Sequence, residues 1–335
     1  MTVRAAWTLC LIMLASAVAG AQEPAPAAPD KDGTQVHIRM HKKTAPKVVL
    51  VRGTGSQMGS GVIIQADGVI LTSPTACGKS AEEATVHIPG RKPMKAKVIG
   101  RANDLELVLL KVDAKDLPVM EFADSGKAKI GQIAYAFGDV FGSIQIDDQV
   151  SMSLGVVSGI YEVQEAQRGT IYTGPVIETS AAVNPHLDGG PLVDAQGRLL
   201  GMITLNYHPA KFTGIAIPSH VLKPEVDKML KDFRDGVVSA GPGWLGIEVM
   251  ESGELASGVV IDSVKAGSSA DKVGLKKGDV ILRIDADRVT SLEKFEELVK
   301  GMAQGDRLRL RILRDGKEQD VVIRAGKKPK PEPVY

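Results

Sequence analysis

The stretch ETSAAVNPHLDGGPLVDAQGRLLGMITL, residues 178–205, contains the pattern that indicates the fold. Two short apolar pairs, Leu192–Val193 and Leu199–Leu200, flank the turn-forming pair Gln196–Gly197, and this arrangement predicts a β-hairpin. The same arrangement occurs around Asp67–Gly68, where apolar runs lie on both sides of an Asp-Gly turn. Short strands at such close spacing predict an all-β barrel or sandwich.

The composition is that of a soluble globular protein with room for two domains. The chain has 335 residues, of which 44% are hydrophobic and 24% charged. Aromatic residues make up only 4%, so the cores must be largely aliphatic. The formal net charge is +1, and this balance gives no indication of nucleic acid or an anionic membrane as a partner.

The first 21 residues are predicted to be a signal peptide that is removed on export. Met1–Arg4 is basic, Ala5–Val18 is an apolar run too short to span a bilayer comfortably, and Ala19–Ala21 supplies a small-residue cleavage pattern. The alternative is a retained membrane anchor. No later segment is long and apolar enough to span a membrane. Loss of Cys10 with the signal peptide leaves Cys77 as a lone thiol, so no internal disulfide is expected.

Composition divides the rest of the chain into two domains. Residues 22–46 are rich in Ala and Pro and are interpreted as a linker, residues 47–235 as the β domain, and residues 236–242 as a second linker. Residues 243–326 mix strand and helix patterns and form the second domain. Residues 327–335 are predicted to be a disordered tail.

Two helices are predicted from apolar spacing and from their start signals. One closes the first domain, with Pro224 near its start and apolar residues along one face at Val226, Met229, Leu230 and Phe233. The other lies in the second domain and begins with the capping box Thr290–Glu293, in which Thr290 is the predicted N-cap residue.

Five segments of the first domain resemble the HtrA/Deg family of exported serine proteases. They read GSGVIIQADGVILTS at 59–73, EFADSGKAKIGQIAYAFGDVFG at 121–142, LGVVSG at 154–159, the stretch quoted above at 178–205, and GIAIPS at 214–219. Their order and spacing carry the resemblance, since each segment alone is a weak signal. The resemblance implies a trypsin-like fold of two perpendicular six-stranded β-barrels, with the active site between them. It also implies the bacterial periplasm as the location.

The resemblance indicates where the family's catalytic Ser-His-Asp triad would lie, and this chain differs at all three positions. Thr75 occupies the histidine position, Glu106 the aspartate position before LVLLK, and Asp188 the serine position before GGP. A threonine hydroxyl cannot act as a general base near neutral pH. Asp188 places negative charge where the oxyanion would form. These residues predict a degenerate homologue of the serine endopeptidases that is not itself an enzyme.

The loop before Asp188 is also altered relative to the family motif. His186 takes the place of the glycine in that motif, and Leu187 follows it. Backbone N–H groups around the nucleophile form the oxyanion hole in such proteases. Since histidine lacks the conformational freedom of glycine, His186 is not expected to adopt the strained backbone angles that glycine can.

A displaced catalytic site is one alternative interpretation of this region. His87 follows the Thr75 loop, and His186 precedes Asp188, although neither occupies the position of the family's base. Ser125 and Ser180 are further serines that such a site could use, but they are more simply explained as strand or turn residues. This alternative retains a protease that works through an unconventional site.

A cation site is a second alternative. Glu106 and Asp188 would approach a shared cleft, and two nearby carboxylates either raise one pKa or attract a cation. His186 could add a ligand. The simpler interpretation is a solvated polar pocket without function, and we predict no metal and no other cofactor.

The second domain resembles the PDZ domains of the same family. VKAGSSADKVGLKKGDVILRID at 264–285 is similar to the family's V-x-x-GSPA-x-x-AGL-x-x-GDVI stretch and is the most specific motif in the chain. The resemblance implies β-augmentation, in which a peptide C-terminus lies beside a strand and its carboxylate meets backbone N–H groups. The implied peptide-binding residues are Trp244, Leu245, Gly246, Ile247, Glu248, Val249, Phe295 and Leu298. The alternative is a structural spacer with a blocked groove.

Together these features predict a non-proteolytic HtrA-like envelope protein that binds exposed protein C-termini or unfolded polypeptides. Such a protein would act as an adaptor, a chaperone or a regulator in protein quality control. The alternatives are a serine endopeptidase with an unconventional site and a structural partner in oligomers of HtrA-type proteins. Homo- or hetero-oligomers are a further expectation, although residues 30–51 lack the aromatic residues that family trimers often use.

Overall fold

The computed structural model describes residues 33–78, 81–163, 172–204, 213–236, 243–252, 258–300, 302 and 304–327. The predicted signal peptide, the linker residues 237–242 and the tail from residue 328 lie outside this part of the chain. Within it, no helix is both long and apolar enough to cross a membrane. The predicted fold class is confirmed, because two six-stranded β-barrels are followed by a smaller α+β module.

A helix precedes the barrels at residues where the composition predicts a linker. Helix α1 (Thr34–Thr44) packs against the second barrel through two histidines. His37 Nδ1 lies 3.0 Å from the hydroxyl oxygen of Tyr135, and His41 Nε2 lies 2.8 Å from the carbonyl oxygen of Val150. The linker prediction is wrong here because these tertiary contacts stabilise a helix that its own polar, Lys-rich sequence does not reveal.

The first barrel contains six antiparallel strands and one short helix. The strands are β1 (Val48–Arg52), β2 (Met58–Gln65), β3 (Val69–Thr72), β4 (Glu83–His87), β5 (Met94–Ala102) and β6 (Leu107–Val112), and helix α2 (Pro74–Cys77) follows β3. They close a ring in the order β1-β2-β3-β6-β5-β4. The hairpin predicted around Asp67–Gly68 joins β2 and β3.

The side chains of β1 alternate between two apolar clusters. Val48 and Leu50 belong to an apolar cluster shared by both barrels, whereas Val49 and Val51 belong to a cluster confined to the first barrel. Since successive side chains of a strand point to opposite faces, each strand can pack on both sides. The shared cluster therefore joins the two barrels into one unit.

The second barrel repeats this architecture with six further antiparallel strands. They are β7 (Ile133–Gly138), β8 (Ser151–Val163), β9 (Gly174–Thr179), β10 (Pro191–Asp194), β11 (Leu199–Thr204) and β12 (Gly214–Pro218), with helix α3 (Ser143–Asp147) between β7 and β8. They close in the order β10-β11-β12-β9-β8-β7. The hairpin predicted around Gln196–Gly197 joins β10 and β11.

The helix that closes the first domain is α4 (Ser219–Arg234). Its buried face includes Val226, Met229 and Leu230, as predicted, and all three belong to the cluster shared by the barrels. Pro224 lies inside the helix rather than in its first turn. The helix begins earlier than predicted because it continues directly from β12.

The second domain contains two short helices and a twisted set of antiparallel strands. Its elements are β13 (Gly243–Trp244), β14 (Ile247–Glu251), β15 (Val259–Val264), α5 (Ser269–Lys272), β16 (Val280–Ile284), β17 (Asp287–Arg288), α6 (Leu292–Lys300), β18 (Arg307–Arg314), β19 (Lys317–Arg324) and β20 (Gly326–Lys327). Strands β13 and β20 pair with each other and bring the two ends of the module together.

The start of α6 differs from the prediction by one residue. Ser291 Oγ accepts a hydrogen bond from the backbone N–H of Lys294 at 3.1 Å, so Ser291 is the N-cap residue and Thr290 is not. The capping box prediction is wrong because Ser291 is an equally good cap. The shift places Lys294, not Glu293, at the third helical position.

The second domain is docked onto the first through a buried ion pair. Strand β18 pairs with β5 at Arg307, whose Nη1 lies 2.8 Å from the carboxylate of Asp104, and Arg309 Nη2 lies 3.6 Å from the same group. Burial raises the pKa of Asp104, although the two guanidinium groups act in the opposite direction. Arg324 and Glu225 form a second contact between the domains.

Replacing Asp104 should test how strongly this docking contributes to stability. We expect Asp104→Ala to lower the free energy of unfolding by about 3 kcal/mol, because removal of one partner leaves buried charge uncompensated. The control is Asp227→Ala, whose carboxylate is 58% exposed beside Lys223 and should contribute less than about 0.5 kcal/mol. Urea denaturation followed by circular dichroism measures both. Equal effects of the two substitutions would mean that the interface does not depend on Asp104.

Candidate functional site

Ser60 lies where the two barrels meet, and each of its polar groups has a partner. Its backbone N–H donates to the carbonyl oxygen of Asp188 at 2.8 Å, and its own carbonyl accepts from Thr72 Oγ1 at 2.7 Å. Its Oγ donates to the carbonyl oxygen of His186 at 2.6 Å and accepts from the backbone N–H of Asp139 at 2.8 Å. Because Ser60 is fully buried, these hydrogen bonds fix the loop that carries Asp188 against β2.

Thr75 is exposed on helix α2, while its neighbours anchor that helix in the barrel. Ser73 Oγ accepts from the backbone N–H of Ala76 at 3.2 Å and so caps the helix. Ala76 and Cys77 are fully buried, and burial raises the pKa of the Cys77 thiol. Cys77 therefore behaves as a small core residue, and Thr75 faces the solvent from a rigid position.

Gly59 brings helix α2 close to the Asp188 loop. A Cβ atom at this position would lie 2.5 Å from Ala76 Cβ and 2.7 Å from the carbonyl oxygen of Asp188. Only glycine fits between two segments that approach so closely. Asp188 is 1% exposed, and its backbone carbonyl lies beside the helix that carries Thr75.

Glu106 lies at the end of a 3₁₀ turn, Asn103–Leu105, and has a positive φ of 53°. Strands β3 and β6 pair as far as Thr72 opposite Val108. Thr75 follows Thr72 by three residues, and Glu106 precedes Val108 by two. Glu106 is 5% exposed. Thr75 and Glu106 thus lie at the same end of one strand pair, and Asp188 lies across Gly59 from them.

The expectation for His186 is wrong, because this residue adopts a φ of 74° in the left-handed region. Histidine tolerates this region better than most residues do. Here the hydrogen bond from Ser60 Oγ holds the carbonyl of His186, and its Nδ1 lies 3.6 Å from Oδ2 of Asp139. These contacts overcome the local strain. The adjacent Leu187 is buried in the core of the second barrel.

Asp139 is a site residue that the sequence does not single out. Its carboxylate is fully buried and accepts from the backbone N–H groups of Gly142 at 3.0 Å and Ile144 at 2.7 Å. It therefore organises the turn before α3 and faces the imidazole of His186. The only available signal was its place in the segment 121–142, which resembles the family.

His87 is a candidate base for a displaced site, and its surroundings favour the neutral imidazole. Burial lowers its pKa, and the guanidinium of Arg52 lowers it further, while Asp139 and Asp148 oppose this shift. A neutral imidazole can accept a proton. Among the described residues, however, His87 has no hydrogen bond to a serine hydroxyl that it could activate.

A contact between a serine and a histidine does occur at the start of α4. Ser125 Oγ lies 2.8 Å from His220 Nδ1. The same Oγ accepts from the backbone N–H of His220 and lies 2.9 Å from Ser219 Oγ. Ser125 is only 5% exposed, so this network joins a 3₁₀ turn to α4 and offers little access to a substrate.

The cation hypothesis finds no support in the described part of the chain. Within those ranges, no group of three or more His, Cys, Asp or Glu side chains is arranged to hold a metal ion. His186 instead lies near Asp139, at 3.6 Å. The cleft is therefore a polar region whose backbone is fixed by hydrogen bonds.

The loop at residues 244–247 of the second domain is fixed with its carbonyl groups turned inward. The carbonyl of Leu245 accepts from the backbone N–H of Ala270 at 3.0 Å, and that of Gly246 accepts from Lys265 at 2.9 Å. In a trans peptide the next N–H points away from the carbonyl. The N–H of Gly246 therefore points away from Ala270 of α5, and the N–H of Ile247 points away from Lys265 at the end of β15.

Strand β14 and helix α6 lie next to each other, and we refer to the apolar strip between them as the groove. Strand β14 is at the end of its sheet and pairs only with β15 among the described strands. Five of the predicted peptide-binding residues belong to one apolar cluster, in which Leu245 and Phe295 are buried and Ile247, Val249 and Leu298 are partly buried. These five residues therefore lie in one cluster, and their role in peptide binding stays a prediction.

The remaining predicted groove residues lie at its rim. Glu248 is exposed and accepts a hydrogen bond from Ser263 Oγ at 2.9 Å across the strand pair. Trp244 is partly exposed, and Lys265 Nζ lies 5.9 Å from the centre of its ring. Both residues border the position that a bound peptide would occupy.

These barrels and this module define the class of protein as a trypsin-like double barrel followed by a PDZ domain. Residues 59–202 match the trypsin-like peptidase domain family, and residues 243–324 match the PDZ domain family. The chain belongs to the HtrA/Deg family, as its curated relatives and similar solved structures show.

Two relatives named "Probable periplasmic serine endoprotease DegP-like" illustrate the similarity. The relative from Marinomonas sp. is 32% identical over 290 residues, which cover 83% of this chain and 59% of the relative. The relative from Pseudomonas fluorescens is 32% identical over 318 residues, which cover 90% of this chain and 64% of the relative. The chain therefore spans less than two thirds of the length of these relatives.

Two solved structures share the arrangement of barrels and PDZ domain. "HtrA-type protease AlgW with decapeptide" is 26% identical with a TM-score of 0.51, and the match covers 88% of this chain and 99% of that chain. "HtrA-type protease AlgW with tripeptide" is 28% identical with a TM-score of 0.51, and the match covers 89% and 99%. Each is named as an HtrA-type protease with a short peptide.

Removing the Ser60 hydroxyl should destabilise the cleft. We expect Ser60→Ala to lower the free energy of unfolding by about 3 kcal/mol, because it leaves the partly buried His186 carbonyl and the buried Asp139 N–H without this partner. The control is Ser153→Ala, since the exposed Ser153 hydroxyl donates to a single carbonyl. Thermal and urea denaturation measure both variants. A change at Ser60 no larger than at Ser153 would argue against its role as the link between the barrels.

Proposed function

We propose that this protein is a non-proteolytic member of its family that captures exposed C-termini or unfolded chains through its PDZ domain. The proposal rests on a combination of two features. The PDZ domain has an edge strand beside an apolar groove, and the cleft between the barrels has Asp188 at the nucleophile position. The groove retains the features that peptide binding requires. The cleft lacks the side chains that peptide hydrolysis requires.

The proposed loss of hydrolysis rests on the chemistry of three positions. A carboxylate at Asp188 would repel a developing oxyanion, and the hydroxyl of Thr75 cannot accept a proton near neutral pH. Glu106 could replace an aspartate, but there is no imidazole at Thr75 for it to orient. Loss of a triad member reduces turnover by about four orders of magnitude or more.

The proposed peptide binding rests on β14 and the loop before it. A peptide added beside β14 would extend the sheet and gain main-chain hydrogen bonds. Its carboxylate would meet the N–H groups of Gly246 and Ile247, which point away from Ala270 and Lys265 respectively. Its last side chain would enter the apolar groove lined by Leu245, Phe295 and Leu298.

The cellular role that fits this chemistry is that of an adaptor, a chaperone or a regulator in protein quality control of the bacterial envelope. The names of the relatives support an exported, periplasmic protein. The same names favour a second candidate, a serine endoprotease that works through an unconventional site. A third, a structural partner in oligomers of HtrA-type proteins, is compatible with the family membership.

Proteolysis assays separate the first two candidates. We expect the purified chain to leave casein intact and not to react with a serine-directed fluorophosphonate. Asp188→Ser alone should not restore activity, since the general base is still missing. Gel electrophoresis and fluorescence of the labelled probe provide the measurement.

The control for a displaced site is Ser125→Ala, which removes the hydroxyl in contact with His220. Casein cleavage by the native chain that disappears in this variant would establish the endoprotease candidate. Cleavage that persists unchanged in every variant, including Asp188→Ala, would point to a contaminating protease.

Peptide binding depends on the free carboxylate if the groove works as proposed. We expect a labelled peptide with a hydrophobic C-terminal residue to bind the full chain and its amidated form to bind at least about tenfold more weakly. Gly246→Ala should also weaken binding, because its Cβ would lie 2.1 Å from Ser268 Cβ at a φ of 82°. Fluorescence anisotropy measures each affinity.

Gly316→Ala is the matched control. Gly316 has a φ of 73°, but a Cβ there would have no atom within 4 Å, so this change adds backbone strain without touching the groove. Its affinity should equal that of the native chain. Equal affinities for the free and amidated peptides would rule out carboxylate recognition, even if the protein proved inactive as a protease.

A further inference from the structure

Three arginines occupy neighbouring cross-strand positions in the PDZ domain. Arg283 on β16 lies opposite Arg288 on β17 and opposite Arg311 on β18. We refer to these three residues as the arginine row. Residues directly opposite each other in a sheet share a face, and like charges at such positions destabilise it. The row is therefore not explained by the stability of the sheet.

The acidic neighbours of the row are concentrated at one end. Asp320 lies opposite Arg311 and accepts two hydrogen bonds from it, at 2.8 and 3.1 Å. The hydrogen bonds with Arg311 hold the pKa of Asp320 below its usual value, and the charges of Arg309 and Arg283 act in the same direction. A carboxylate influenced by several guanidinium groups indicates an excess of positive charge on this face.

The other two arginines of the row form no ion pair within 4 Å with a carboxylate in the described part of the chain. Arg283 donates through Nη2 to the carbonyl oxygen of Ala286 at 2.7 Å, a neutral acceptor. Arg288 is exposed and forms no ion pair within 4 Å with any described residue. The guanidinium groups of this end of the row are thus available to an external anion.

The row surrounds a hollow of a size that fits a small anion. The hollow has a volume of about 330 Å³ and is lined by Leu282, Arg283, Arg288, Arg311 and Glu318. Since a water molecule occupies about 30 Å³ in the liquid, the space accommodates a phosphate or pyrophosphate group with several waters. Glu318 is the acidic member of the lining, and its carboxylate is 4.0 Å from Arg311.

We propose that the arginine row is a binding site for a phosphate group. Guanidinium groups present planar pairs of N–H donors that match phosphate oxygens, and three of them converge on one hollow. A phosphate carries more charge and more acceptor oxygens than one carboxylate, and the row already contains the carboxylates of Asp320 and Glu318. The phosphate can come from a soluble metabolite or from a lipid headgroup.

The site is separate from the peptide groove. The row belongs to β16, β17 and β18, whereas the groove lies between β14 and α6, and β15 separates β14 from β16. None of the lining residues is part of the loop at 244–247. A phosphate ligand and a peptide could therefore bind the same module at the same time.

Titration of the full chain with inorganic pyrophosphate tests the site. We expect saturable binding by isothermal titration calorimetry, and Arg288→Gln should raise the Kd by about tenfold through loss of charge-assisted hydrogen bonds. Arg288→Lys should recover only part of the affinity, since it restores charge without the planar donors. Glu318→Gln should lower the Kd, because it removes negative charge from the hollow.

The matched control is Lys272→Gln, which removes an exposed positive charge from α5 of the same module. Its Kd for pyrophosphate should equal that of the native chain. Absence of saturable binding, or equal weakening by Lys272→Gln and Arg288→Gln, would overturn the proposal. Circular dichroism of each variant verifies that the fold is retained.

Co-sedimentation with vesicles distinguishes the two sources of phosphate. Binding to vesicles that contain phosphatidylglycerol, but not to phosphatidylcholine vesicles, together with loss in Arg288→Gln, identifies a lipid headgroup. Pyrophosphate binding without vesicle binding identifies a soluble phosphate ligand. A glutamate-rich peptide that binds the row more tightly than pyrophosphate would show that its ligand is a carboxylate and that the phosphate assignment is wrong.

Discussion

The hydroxyl group of Ser60 lies between the two barrels and hydrogen-bonds to segments that are far from it in the sequence. These bonds fix the cleft between the barrels. It bridges the carbonyl of His186, 126 residues away, and the N–H of Asp139. The backbone N–H of the same residue binds the carbonyl of Asp188. A buried polar group that lost these partners would carry a large desolvation cost, so the loop cannot move without disrupting the core.

Because of this constraint, the backbone structure of the cleft does not depend on which catalytic side chains the cleft carries. Backbone hydrogen bonds at Ser60 and the close approach at Gly59 hold the loop whatever side chain stands at position 188. A family fold can therefore persist while the residues that would attack, accept a proton or orient a base are changed. The proposed loss of proteolysis requires no change in the barrels. It requires only that Thr75 and Asp188 present the wrong functional groups.

The docking of the PDZ domain adds a second constraint near the same region. Asp104 is buried against Arg307, and it lies two residues before Glu106 in the chain. The turn that ends at Glu106 is thus held by the barrel on one side and by the PDZ domain on the other. The peptide groove and the arginine row lie on other parts of the module. The domain can therefore offer binding surfaces while its position on the barrels is fixed.

The sequence alone was enough to predict the fold family, the hairpins at Asp67–Gly68 and Gln196–Gly197, and a set of apolar residues that share one cluster in the second domain. These features depend on short contiguous runs in which turn chemistry and apolar alternation are visible directly. Only the tertiary structure revealed the helix of residues 34–44, the positive φ of His186 and the roles of Ser60 and Asp104. Those features depend on contacts between distant residues, such as the hydrogen bond between Asp104 and Arg307 across 203 positions. Strand register also brought three arginines together in a chain whose net charge is close to zero, because overall charge does not report which side chains become neighbours.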